Sequence, residues 1–502
     1  MSAARSADST AAGEAHDPPH TGPIVAVLAF AGIVVALMQT LMVPLIPKLP
    51  ELLHTSPSNA EWAITATLLA GAVSTPVLGR LGDMFGKRRI LLLNLGLLVV
   101  GSVVCALSDS LIPMVVGRAL QGVAMGVIPL GISIMRDELP PERLGASIAL
   151  MSSSLGVGGA LGLPGAAFVA QHADWHALFW ASTALGVVVI GLVLAVVAES
   201  EVRSGGHFDL VGALGLSVGL LCLLLAVSKG SDWGWGSGLT LGLLAGAAIV
   251  LLLWGRFELR TTEPLVDLRT TARRQVLLTN LASVMAGFSM LAMSLVLPQL
   301  LQLPKATGYG LGQSMVVAGL CLGPSGLAMM AVAPISARLT RARGPKASLL
   351  TGMVIIAAGY ALSVVFLASV WEVVTVAVVI AAGVGFAYGA MPALIMGAVP
   401  LSETASANGL NSLMRSIGTS TSSAVMGVLL AHMTMDFGGV AVPSHNGVRV
   451  SMAVAGGAAL LAIVLAAFIP GRRRVLSSAA ASTPASGSDS TLAGLEDRKS
   501  VV

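Results

Sequence analysis

Charge is what this chain has least of. Only 10% of its 502 residues are Asp, Glu, Lys or Arg, where a soluble chain carries roughly 25%. That scarcity excludes an ordinary water-soluble domain. Cysteine is scarce too. Cys105, Cys222 and Cys321 each sit in an apolar stretch, which makes them small packing residues and excludes a disulfide framework. No GxxxxGK[ST] run occurs, so a nucleotide-driven pump lacks its phosphate cradle. His172, His176, His432 and His445 fall between apolar stretches without metal-ligand spacing, and no acid pair lies inside a stretch. Neither a metal nor another cofactor is therefore expected, and a membrane enzyme is the least favoured class. The opening ~22 residues are too polar for the core of a cleavable leader.

What the chain has is apolar length. It is 55% hydrophobic, with a mean hydropathy of +0.88. Stretches long enough to span a bilayer, roughly 17–25 residues, recur fourteen times. They lie at 23–47, 61–79, 90–108, 112–135, 146–169, 177–198, 208–228, 238–256, 276–300, 311–333, 347–369, 372–398, 406–431 and 449–470. This predicts an all-α polytopic membrane protein in contact with the lipid bilayer. The polar ends, 1–22 and 471–502, read as disordered tails.

The pI near 9.2 would suit a nucleic-acid partner, but the basic residues are placed otherwise. Alternate short loops on one side hold sixteen of the 28 Lys+Arg, from Arg80, Lys87, Arg88 and Arg89 through to Arg338, Arg341, Arg343 and Lys346. The opposite loops hold four, Lys48, Lys229, Lys305 and Arg449. That bias puts both termini in the cytoplasm and the chain in a cell membrane. No nucleic-acid partner is expected.

The densest charge is Gly79–Arg89, GRLGDMFGKRR, between the second and third spans. Such a knot can lie at a membrane surface but not in hydrocarbon. A degenerate copy follows 258 residues on (334 − 76): Pro76–Arg88 aligns without gaps on Pro334–Lys346, matching at Pro76/Pro334, Arg80/Arg338, Leu81/Leu339 and Gly86/Gly344. The shift is eight spans, which predicts two parallel-repeat bundles of six helices, 23–198 and 276–470, with two inserted helices between them at 199–275.

These residues carry a family resemblance. GRLGDMFGKRR resembles the loop motif of the major facilitator superfamily, and Gly117–Gly122, GRALQG, resembles its fourth-helix motif. Gly158–Gly165, GGALGLPG, is similar to the fifth-helix motif of its exporters. FDLVGALGL at 208–216, EPLVDLR at 263–269, LNSLMRSIG at 410–418 and the six-two-six plan resemble its fourteen-span drug:proton antiporter family. The resemblance covers roughly 23–470. It implies a secondary exporter of amphipathic or lipophilic small molecules, coupled to protons and acting as a monomer. A lipid or metabolite carrier of the same fold, without proton coupling, is the alternative. A membrane sensor that no longer transports is a third reading, which the intact loop motif disfavours.

The candidate residues follow. Gly79, Arg80, Gly82, Asp83, Gly86, Lys87 and Arg88 form a gating motif, in which Asp83 is placed to cap a neighbouring helix N-terminus and accept an Arg hydrogen bond. Arg118, one of two charges inside spans, is by default functional; the resemblance implicates it in proton coupling. The family's exporters usually carry an Asp in the first helix, where this chain has Met38. No acid falls in the central part of any span, which leaves Asp83 and Glu61 as proton-coupling candidates beside Arg118. Asp209 begins an inserted helix and reads as remote from the cavity. Met38, Gln39, Met42, Phe288, Met293, Tyr388, Met391 and Arg415 are candidate cavity residues, since flexible thioethers suit varied apolar ligands and Arg415 suits neutral or anionic ones. Gly158, Gly162, Pro164 and Gly165 predict a pliable helix between the two bundles.

Overall fold

The computed structural model describes residues 21–42, 45, 49–200, 202–438 and 440–470. Residues 1–20 and 471–502 of the expected tails, and the expected outer-loop Lys48, lie outside them. Among the described residues, thirteen helices are long and apolar enough to cross a membrane. In chain order the helices are α1 (Thr21–Thr40), α2 (Trp62–Phe85), α3 (Lys87–Ala106), α4 (Leu111–Glu138), α5 (Pro141–His172), α6 (His176–Val196), α7 (Leu210–Trp233), α8 (Gly238–Glu258), α9 (Arg274–Gln302), α10 (Met315–Arg343), α11 (Pro345–Ser363), α12 (Val370–Met396), α13 (Thr404–His432) and α14 (His445–Ala467). A two-stranded antiparallel hairpin, β1 (Thr434–Phe437) and β2 (Val440–Pro443), joins α13 to α14.

The helix outside the thirteen is α13. It has the length to span, but Asn, Ser and Thr crowd its sequence. The reason is visible in its packing: Thr404, Asn408, Asn411 and Ser422 are all buried inside the protein. Thr404 accepts from Arg136, and Asn411 bonds to Asn280 and Ser283, so part of its polarity serves neighbours. The first helix also departs from expectation, ending at Thr40 rather than continuing to 47.

Two large apolar cores form. One gathers side chains from Ile24 to Val197, with Met396 and Ala405 added from the far part of the chain. The other gathers Ala282 to Ile469. Between lipid-facing helices hydrophobic burial offers little drive, so close packing and small residues decide association. Across the two cores, α2 packs on α13, and α5 packs on α10 and α12. A third cluster lies on this seam. It joins Leu69 and Ala72 of α2, Leu216 and Leu220 of α7, Leu265 and Val266 of the next loop, and Leu410 and Leu413 of α13. Helix α8 leans on α7 and leaves Ile249, Leu252 and Leu253 exposed, as a helix facing lipid would.

Candidate functional site

The gating motif forms a turn that only glycine makes without strain. Gly86 separates α2 from α3 at φ +114°, where a Cβ is disfavoured. The turn sets Asp83 and Lys87 on one side. Asp83 is 0% exposed, and its carboxylate reaches across the seam. It accepts hydrogen bonds from Ala405 N (3.0 Å) and Ser406 N (2.8 Å). These amides open α13, where N–H groups lack helical partners and the dipole favours an anion. Gly79 lets the chains come this close, because a Cβ there would stand 2.5 Å from Ala405 O.

The cation beside Asp83 is a lysine, not the expected arginine. Lys87 Nζ lies 4.0 Å from Asp83 and 2.6 Å from Asp137 Oδ2, which also accepts from Ser200 Oγ at 2.6 Å. Arg80 is buried without taking that role. Arg136 crosses the seam instead, donating to Thr404 Oγ1 (3.0 Å) and Val399 O (3.3 Å). Arg88 binds the end of α6 through Leu194 O (2.8 Å), and its N–H donates to Glu199 (3.2 Å). Gly82 lies against Leu130. The linker toward α7 is pinned here too, with Ser204 N donating to Asp83 O at 2.8 Å. In the degenerate copy Gly344 has φ +86°, and Arg341 donates to Glu142 O (3.4 Å) at the start of α5.

Arg118 is 1% exposed and meets no acid among the described residues. It donates to Ala63 O and Met38 O, both at 3.2 Å, and to Gln121 Oε1 at 2.7 Å. Neutral acceptors from α1, α2 and α4 hold it inside the first core. Glu61 is not a free acid either. It pairs with Lys229, which also reaches Asp232 at 2.8 Å and lies 6.0 Å from the Trp62 ring. Lys229, expected in an outer loop, is instead a buried residue of α7. The ion pair ties α7 to the start of α2.

A cavity of about 10 Å³ lies between the two cores, walled by Ile128, Ile132 and Ser152 from one side and Asn408, Asn411 and Arg415 from the other. It has room for roughly one water. Arg415 stacks over the Tyr388 ring at 4.9 Å and donates to Ser412 Oγ at 3.3 Å. Tyr388 in turn reaches Met290 Sδ (3.3 Å). Asn411 bridges Asn280 (2.9 Å) and Ser283 (2.7 Å). Of the candidate cavity residues, Arg415 lines this space. Met38 and Met42 pack in the first core, and Phe288, Met293, Tyr388 and Met391 in the second; Gln39 is half-buried on α1. Gly158 and Gly162 of α5 face α1 at Ala36 and Thr40, Gly165 faces open space, and Gly156 faces Met329 of α10. Pro164 lies inside α5, which runs on to His172.

Sequence reasoning missed Asp137 and Ser200, the acceptor and donor around Lys87. The run Arg136-Asp137-Glu138 at the end of the fourth span was the available signal.

Comparison with known proteins follows the same lines. The profile described as Major Facilitator Superfamily matches residues 28–423. The chain is 30% identical over 427 residues to the tetracenomycin C resistance and export protein of Streptomyces glaucescens, covering 82% of this chain and 77% of that protein. It is 25% identical over 378 residues to multidrug resistance protein 3 of Bacillus subtilis (strain 168), covering 73% and 72% respectively. The crystal structure of the human organic anion transporter MFSD10 (TETRAN) superposes with a TM-score of 0.66 at 15% identity, covering 90% of this chain and 100% of that one.

Proposed function

Because the chain belongs to the Major Facilitator Superfamily, we propose that it exports amphipathic or lipophilic small molecules across a cell membrane by alternating access, in exchange for protons. The observation that carries the substrate class is Arg415. It is a half-buried guanidinium with no acid partner among the described residues, stacked on Tyr388 and lining a cavity walled by both cores. A site of this kind favours neutral or anionic compounds over multivalent cations. The names of two relatives, a resistance and export protein and a multidrug resistance protein, agree with export.

The reading includes fourteen spans, α13 among them, as six, two and six helices in a monomer with both termini cytoplasmic. The packing supports the repeat. Shifted by eight helices, α2 corresponds to α10 and α5 to α13, and the seam pairs α2 with α13 and α5 with α10. The cavity is then small because the seam is drawn together, and the Asp83 contacts close the cytoplasmic end. Rocking one bundle against the other breaks them and widens the cavity toward that side. Proton exchange is the part supplied by the family: Arg118, Asp83 and Glu61 all have fixed partners here.

The test is uptake or release of a panel of lipophilic anions, neutral compounds and cations by proteoliposomes, with and without an imposed pH gradient. Gradient-dependent movement of anionic or neutral compounds is expected. Transport indifferent to the gradient would remove the exchange with protons, and no transport of any compound would remove export.

A further inference from the structure

Unassigned chemistry lies outside the two large cores, where α7 begins and α8 ends. Asp209 caps α7, its Oδ1 accepting from Gly212 N at 2.7 Å. Glu258, the last residue of α8, is 2% exposed, and its Oε1 accepts from Val266 N at 2.6 Å. One oxygen remains on each carboxyl group. Asp209 Oδ2 and Glu258 Oε2 are both buried, and no protein donor reaches either. They converge on one spot: a Cβ built on Gly212 would stand 2.7 Å from Glu258 Oε2, with Asp209 Oδ2 closer still. The two unpartnered oxygens thus share one buried spot beside Gly212.

Ionised carboxylates only accept hydrogen bonds, so only a hydrogen on one of them would let the two free oxygens bond to each other. No cation takes its place. Among the described residues, no Lys, Arg or His lies within ion-pair distance of either acid. On the loop after α8, Glu263 faces His207, Asp267 accepts from the amides of Arg269 and Thr270, and the Arg269 side chain donates to Leu259 O. Arg256 and Arg260 at the end of α8 are exposed. The apolar cluster that Leu265 and Val266 join takes Leu69, Ala72, Leu410 and Leu413 from α2 and α13, none charged. Leaving both acids ionised here would cost several kcal/mol in desolvation, with their mutual repulsion added.

We propose that Asp209 and Glu258 together form a binding site for a single proton, exchanged with water at the Asp83-bearing face. Binding makes one O–H bond and release returns the proton to water; no other bond changes. The site is close to the seam by two routes. Glu258 holds Val266, and Leu265 and Val266 belong to the apolar cluster shared with α2, α7 and α13. The linker that leads to Asp209 is pinned on Asp83 through Ser204.

The test uses the full-length chain in lipid nanodiscs. Infrared difference spectra taken across a pH titration should contain a protonated-carboxyl C=O band that Glu258→Gln removes, and proton uptake per chain should fall by one. The glutamine keeps an acceptor for Val266 N and offers an amide hydrogen to Asp209. If Glu258→Gln does not fold, Asp209→Asn, which keeps the helix cap, should remove the same band. A band and a proton count unchanged in whichever variants fold would overturn the proposal. Neither readout depends on transport.

Discussion

The Asp83 carboxylate of α2 and the Ser406 amide of α13 lie 2.8 Å apart, across the seam between the two large cores. With Ala405 N on the other oxygen, one buried side chain supplies a missing partner to two amides of a helix from the far part of the sequence. Hydrogen bonds to a charged group contribute about 1.5–3 kcal/mol each. That is the scale on which this end of the seam is held.

Asp83→Asn keeps one good acceptor and loses the charge. The protein should fold, and the closed arrangement should weaken by about 1.5 kcal/mol, roughly tenfold in population. In a variant cleared of native cysteines and carrying Ser412→Cys, a membrane-impermeant thiol reagent applied from the Asp83 face should label faster once Asp83→Asn is added. Equal labelling rates would show that Asp83 does not hold the seam.

Gly79→Val tests the close approach itself. Its side chain would press on the backbone of Ala405, 2.5 Å from where a Cβ would stand, and backbone yields less than a side-chain tip. Transport should be lost while Tm changes by a few degrees at most, since the two cores stay intact. A normal transport rate would mean the helices can close by another route.

Arg415→Lys keeps the charge and loses the planar face over Tyr388, a contact worth about 1–2 kcal/mol when desolvated. Transport of a lipophilic anion should fall roughly tenfold. Arg415→Ala should abolish it, while movement of a neutral analogue persists. The pair of initial rates checks this, and equal losses for anion and neutral compound would assign Arg415 a structural part only.

Lys229→Met should lower stability by about 1 kcal/mol, since Glu61 is 51% exposed and water screens the pair. Adding Glu61→Gln to that background should cost nothing further, because the two residues act through each other. Glu61→Gln alone should leave the pH-gradient dependence of transport unchanged. A lost gradient response would return Glu61 to the proton path.

Much of this was legible in the residues. Apolar run lengths mark each long helix, because a bilayer imposes both length and composition. GRLGDMFGKRR marks the turn at Gly86 and the reach of Asp83 to a helix N-terminus. What could not be read was pairing between distant residues. Nothing near Asp83 says that its amides come from 405 and 406, or that Lys87 would find Asp137. Helix ends were the weakest point. Glu258 lies two residues beyond the expected span at 238–256, yet it ends α8 and is buried. Lys229 was misplaced in the same way. In α13 the polar residues that lower its hydropathy include Thr404 and Asn411, which bond to neighbouring helices.

Glycine and backbone, not interlocked side chains, make the contact between α2 and α13. Across the seam, the charge that fastens it is answered by a helix end, while its cation, Lys87, sits on its own side. Dissolved salt weakens exposed ion pairs over a Debye length of about 8 Å at physiological strength, but it has no access to an acid that is 0% exposed. The rate at which this seam parts should therefore follow temperature and the lipid around it, and be nearly indifferent to the ionic composition of the water beside it.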